Sequence, residues 1–141
     1  MTCTILPLRA SLLFLLSLMA VMRAEPVYAA SDVRGTWSGT FSSNHSGVAP
    51  FTITVVINAD AAGHIVGNST LNSHCLKGAH LQVTVTGSTV VLAGHDKTGN
   101  NMTLRGSLDD TGTLLKSAYI FNGSPGGGCE TDDGTGTLTK R

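Results

Sequence analysis

From Thr36 onward, apolar residues recur at every second position in short runs, and Gly, Asn, Asp or Ser closes each run. That period belongs to a half-buried strand, in which successive side chains point to opposite faces. Phe51, Ile53, Val55 and Ile57 point one way, with Thr52, Thr54 and Val56 on the other side. The same alternation turns Trp37, Gly39 and Phe41 inward, then Ile65, Gly67, Ser69 and Leu71, then Leu81, Val83 and Val85. Met102 and Leu104 follow, then Leu115, Ser117, Tyr119 and Phe121, and last Leu138. The pattern predicts eight strands, at 36–41, 51–58, 64–71, 80–86, 89–94, 101–106, 113–121 and 134–140. Gly87-Ser88 is a two-residue hairpin turn, because Gly adopts the positive φ that such turns need. No segment among these runs has a 3.6-residue period.

Eight consecutive strands on short loops predict an all-β fold: an eight-stranded antiparallel up-and-down meander closed into a small barrel. Closure leaves no exposed edge. An open sandwich is the alternative. In a meander, every odd strand ends at the same end, here called the top. The loops 42–50, 72–79, 95–100 and 122–133 therefore share the top, and they are longer than those at the bottom. Function usually sits on loops carried by a rigid scaffold, so the top is the expected mouth.

Residues 1–29 read as a signal peptide. Arg9 gives the positive flank, Ala10 to Met22 is the apolar run, and Val27-Tyr28-Ala29 offers small residues to a peptidase that cuts after Ala29. The run is short for a hydrocarbon core of about 30 Å; an uncleaved anchor is the alternative. The β-barrel domain is then 30–141, periplasmic or secreted, with no membrane insertion after cleavage. Cys75 and Cys129 remain once Cys3 is removed. An even number in an exported chain implies a disulfide between them. A reactive thiol or a metal pair would need a partner that the sequence does not show.

Charge excludes one class of partner. The chain has a formal net charge of +0, and loss of Arg9, Arg23 and Glu25 leaves the domain slightly acidic. Without a basic field to gather phosphates, no nucleic acid is expected. The oligomeric state is left open.

Residues with chemistry are few. His45, His74 and His95 fall in three top loops and are weak candidates for a Zn²⁺ or Cu²⁺ site; solvent-exposed loop histidines are the competing reading. Asp96, Glu130, Asp132 and Asp133 gather in the same loops as a solvated acidic rim. No Gly-x-Ser-x-Gly occurs and every acid falls in a loop or turn, so neither an enzyme nor a cofactor is expected. An eight-stranded lumen is either filled by side chains or just holds one small molecule. Gly39, Gly67, Ser69 and Ser117 would leave space at mid-barrel, and Tyr119 and the serines would supply polar handles. Phe41, Phe51, Ser69, Ser117 and Tyr119 are the candidate ligand contacts. The competing reading is that the same small residues relieve crowding.

The opening Gly35-Thr36-Trp37, followed by such a meander, resembles the calycin group, which includes lipocalins and avidins. The resemblance implies that Trp37 plugs the closed end as a structural residue. The chain departs from both families. A lipocalin would be longer, and Thr131-Asp132-Asp133 lacks the Tyr of its later motif. An avidin would line its pocket with several Trp, and Trp37 is the only one, so biotin binding is not implied. A fuller likeness runs through Gly35 to Gly39, Phe51 to Ile57, Cys75, Val83 to Val91, Cys129 and Gly134 to Lys140. It is similar to a group of small exported bacterial proteins and implies fold and compartment, with no activity attached.

The expected function is an exported small-ligand-binding β-barrel that admits a mostly apolar molecule through the top loops. The alternative is a protein-interaction or inhibitor module that offers His45, His74, Lys77, Asp96 and Lys97 to an envelope protein.

Overall fold

The computed structural model describes residues 32–127 and 129–141. The signal peptide expected at 1–29 lies outside the described residues. Eight strands follow in order: β1 (Gly35–Ser43), β2 (Phe51–Ala59), β3 (Ile65–Leu71), β4 (Gly78–Thr86), β5 (Thr89–His95), β6 (Asn101–Leu108), β7 (Leu114–Asn122) and β8 (Asp132–Lys140). Each pairs antiparallel with the next, and β8 closes onto β1. The fold is the predicted closed meander, and the open sandwich is excluded. Strand ends move by two residues at most: β4 begins earlier, at Gly78, and β8 earlier, at Asp132.

The turns explain why the strands stop where they do. Gly87 has φ 60° while Ser88 keeps a negative φ, which is the type II′ arrangement that matches strand twist. Three further turns share an Asp-x-x-Gly sequence, at 60–63, 96–99 and 109–112. In each, the Gly N–H donates to the Asp carbonyl, at 3.0, 3.2 and 3.0 Å. The Asp carboxylate accepts the N–H of the residue after Gly: His64 at 2.8 Å, Asn100 at 2.9 Å and Thr113 at 2.9 Å. The glycines sit at φ 85°, 87° and 68°, where a side chain is strained.

The barrel interior is built from large residues laid over small ones. Phe41 stands opposite Gly136, and Tyr119 opposite Gly134. A Cβ at Gly136 would meet the Phe41 ring at 2.5 Å, and one at Gly134 would meet Tyr119 Cε1 at 2.8 Å. At Gly67, expected to leave mid-barrel space, a Cβ would lie 3.2 Å from Val55 Cγ1. The small residues therefore admit neighbouring side chains and main chain. The lumen is a packed core at these positions, as interiors of native density require.

Both ends are shut. At the bottom, Trp37 is buried and its Nε1–H donates to the Val33 carbonyl at 2.7 Å. The Lys140 ammonium lies 5.6 Å from the indole centroid and donates to the Asp32 carbonyl at 2.6 Å. Trp37 is thus held in place at this end by its own hydrogen bond and by the Lys140 side chain over its ring. At the top, the Cys75–Cys129 disulfide spans a Cα–Cα distance of 5.0 Å, within the ordinary range. Beside it, Leu76 turns inward and is fully buried, and the Ser73 hydroxyl donates to the Leu76 carbonyl at 2.6 Å. The top was expected to be the mouth. It is closed because burying Leu76 removes an apolar side chain from water, a gain of about 2 kcal/mol, and the disulfide holds the loop that carries it.

A Cβ at Gly39 would sit 1.8 Å from the Thr137 carbonyl oxygen, on the seam where β8 closes onto β1. Gly39→Ala is expected to cost about 3 kcal/mol by forcing main chain apart; urea unfolding measures it, and a loss under half of that would contradict the tight seam.

Candidate functional site

Of the five proposed lumen contacts, Phe41, Phe51 and Tyr119 are brought together, as packing; Ser69 and Ser117 stand apart on β3 and β7. Phe41, Phe51, Tyr119 and Phe121 form an aromatic cluster, with centroid separations from 4.7 Å for Tyr119–Phe121 to 6.2 Å for Phe41–Phe51. Phe51 and Tyr119 meet edge to face at 5.2 Å and 80°, the arrangement that aromatic quadrupoles favour. The serines are occupied by their own wall. Ser69 Oγ donates to the Ala79 carbonyl at 3.3 Å and accepts the Ala79 N–H at 3.0 Å. Ser117 Oγ donates to the Leu115 carbonyl at 3.3 Å.

The Tyr119 hydroxyl donates to Asp132 Oδ2 at 2.8 Å, and the Ser43 hydroxyl donates to Oδ1 of the same carboxylate. Burial first, and the Asp132 hydrogen bond next, hold the phenol far above its ordinary range, so it remains a donor. Asp132 was placed in an exposed acidic rim. It lies instead inside β8, 3 % exposed, because β8 starts two residues early and the alternation turns position 132 inward beside Phe121. Among the described residues, every buried side-chain polar atom has a partner, as buried polar groups require.

The three top-loop histidines do not converge. His45 Nε2 pairs with Asp133 Oδ1 at 2.8 Å, on the β1–β8 side. His74 is exposed, and His95 belongs to the end of β5. Among the described residues, no group of three or more His, Cys, Asp or Glu is placed to hold a metal ion.

The concave surface is outside the lumen. A crevice of about 570 Å³ opens at the disulfide end between the β3–β4 and β5–β6 loops and Gly127. Asn68, Lys77, His80, His95, Lys97 and Asn100 line it. Its walls are held by local bonds. Lys77 Nζ donates to the Ser73 carbonyl at 2.6 Å. Asn100 Nδ2 donates to Asp96 Oδ2 at 2.9 Å and to the Gly127 carbonyl at 3.1 Å, tying two loops together. A second groove of about 610 Å³ continues along the outer wall over β3, β4 and β5, and Asn68, His80 and His95 border both. Sequence reasoning named Ser69, Lys77, His95, Asp96 and Lys97, all of which line this crevice, and missed Asn68, His80 and Asn100. Strand pairing was the available signal: Asn68 stands opposite His80.

No family model matches the chain, and no curated protein matches it. Among solved structures, the chain is similar to EF1p2_mFAP2b bound to DFHBI, with a TM-score of 0.57 and 16% identity over 79% of this chain and 97% of that one. At that identity the likeness is one of fold: an eight-stranded antiparallel barrel.

Two outcomes test this geometry. Phe51→Ala is expected to cost about 3–5 kcal/mol, since it removes a buried aromatic from a packed cluster; a loss near 1 kcal/mol in urea unfolding would mean that the lumen holds slack. The second concerns acid. Hydrogen bonds from the His64 main chain lower the Asp60 pKa, and the Thr111 hydroxyl does so for Asp109. At Asp96 burial opposes, but bonds from Thr98 and Asn100 prevail and the pKa is lowered. A folded-state pKa below the unfolded value of about 3.9 stabilises the fold above that pH and ceases to do so as pH falls through the folded value. Stability should therefore fall as pH drops below about 4. The triple variant Asp60→Asn, Asp96→Asn, Asp109→Asn should be less stable at pH 7 and flatter between pH 4 and 2, read as urea midpoints. An unchanged slope would contradict the assignment.

Proposed function

We propose that this chain is an exported small-ligand-binding β-barrel of calycin type whose site is the crevice at the disulfide end, outside the lumen. The observation that carries the reading is the pairing of a lumen filled at the aromatic cluster and shut at both ends with a crevice of about 570 Å³, a size suited to a small molecule. The neighbour of similar fold was solved with a small molecule, DFHBI, which supports a barrel of this kind as a binding scaffold. The lining is mixed: Lys77 and Lys97 share it with amide and imidazole side chains and with Gly78 and Ala79. That chemistry suits a polar or anionic ligand better than the apolar one first expected. The reading is of a binding protein and not an enzyme, since the Asp96 carboxylate already accepts from Thr98 and Asn100. A disulfide fits an extracellular location, and the signal-like residues 1–29 support the periplasm or the medium.

A protein-interaction or inhibitor role remains the second reading, favoured by the exposure of His74, Lys77 and Lys97 on one rim.

Native mass spectrometry of the protein purified from its own source separates the two. The small-ligand reading expects an extra mass, lost on denaturation, that disappears in Lys97→Trp while the melting curve is kept. Equal native and denatured masses overturn it.

A further inference from the structure

We infer that His80 and His95 together form a binding site for a divalent transition-metal ion on the outer wall of the barrel. The two residues are direct cross-strand partners in the β4–β5 pair. Both are exposed and both border the crevice and the outer groove. Residues directly opposite in an antiparallel pair have Cβ atoms about 4.5–5.5 Å apart on the same face. Two imidazoles at that spacing can reach one ion with bonds of about 2.0–2.1 Å.

The hydrogen bonding prepares one of the pair. His95 Nδ1 lies 3.2 Å from the Asp96 carbonyl oxygen. A carbonyl only accepts, so Nδ1 carries a proton, and in the neutral ring Nε2 is the nitrogen with the lone pair. A ligating histidine commonly donates its other ring N–H to a carbonyl or carboxylate in this way, which fixes the tautomer and the ring orientation.

The surroundings favour the groove side. Besides the histidines, the outer groove is lined by uncharged residues, among them Val66, Asn68, Gln82, Thr84 and Ala93. The charged groups, Lys77, Asp96 and Lys97, border the crevice. Lys77 is held by the Ser73 carbonyl, and the Asp96 carboxylate accepts from Thr98 and Asn100. An ion above the groove therefore meets two imidazoles and no fixed cation, with its remaining positions left to water or a ligand. Imidazole donors suit Cu²⁺, Ni²⁺ and Zn²⁺, and Cu²⁺ binds most strongly in that order. This inference does not require the crevice to hold an organic ligand.

Cu²⁺ titration of the purified protein tests it, by calorimetry and electron paramagnetic resonance. The expected result is one equivalent bound with nitrogen hyperfine structure from two imidazoles. His80→Ala and His95→Ala should each weaken binding at least about tenfold, while His64→Ala and His74→Ala leave it unchanged. All four positions are exposed, and an unchanged near-ultraviolet circular dichroism spectrum confirms the fold of each variant. Absence of Cu²⁺ binding overturns the inference. So does binding of wild-type strength in His80→Ala and His95→Ala, which would place the ion on other groups.

Discussion

Closing eight strands into a ring leaves little room inside, and that constraint governs the rest of the molecule. The ring shuts where β8 returns to β1, and there the chain places glycine against bulk. Phe41 covers Gly136, Tyr119 covers Gly134, and the main chain of Thr137 passes over Gly39. Any side chain at these glycines would hold the seam open. With the seam closed, four aromatic rings fill the upper half of the barrel and Trp37 fills the lower end. The interior is then a core and not a container.

The disulfide has two consequences at the top. It closes a loop over a sequence separation of 54 residues, which restricts the unfolded chain by roughly 4 kcal/mol in the chain-entropy account. It also fixes the β3–β4 loop against the β7–β8 loop, so that Leu76 stays inside. The loop that shuts the mouth becomes one wall of the crevice beside it. Asn100 completes that wall by joining Asp96 to Gly127. One covalent bond and one carboxamide thus convert three separate loops into a single concave surface.

The fold was legible because period-2 alternation and glycine punctuation are strong local signals. The strand order followed from loop length, and parity placed both cysteines at one end. What escaped was non-periodic or depended on the register between strands. Leu76 sits in a loop, beside a cysteine, where no period announces burial. Asp132 was read as loop because charged and glycine residues surround it; only pairing with β7 shows it as the inward residue opposite Phe121. His80 was legible in principle. A two-residue turn at Gly87-Ser88 sets Thr86 against Thr89, and stepping back along both strands sets His80 against His95. The turn is legible in the sequence, and the register that it dictates reaches the strand ends only by counting six residues back along each strand. The small residues Gly67, Ser69 and Ser117 could be read as space or as close approach, and sequence alone does not tell which neighbours arrive.

A lumen filled in this way leaves the outside as the surface our proposal uses, and the outside of a closed barrel is unusually well defined for a surface. Each strand is hydrogen-bonded on both sides, so an outward side chain keeps its neighbours from the adjoining strands. Asn68, His80, His95 and Asn101 form one such row across β3 to β6. Four polar side chains capable of donating or accepting hydrogen bonds are thereby fixed on a rigid wall at the edge of the crevice. Loops that close a mouth would ordinarily deprive a barrel of its site. Here the same loops raise a rim beside an ordered polar row, and recognition can use the rigidity that the packed interior supplies.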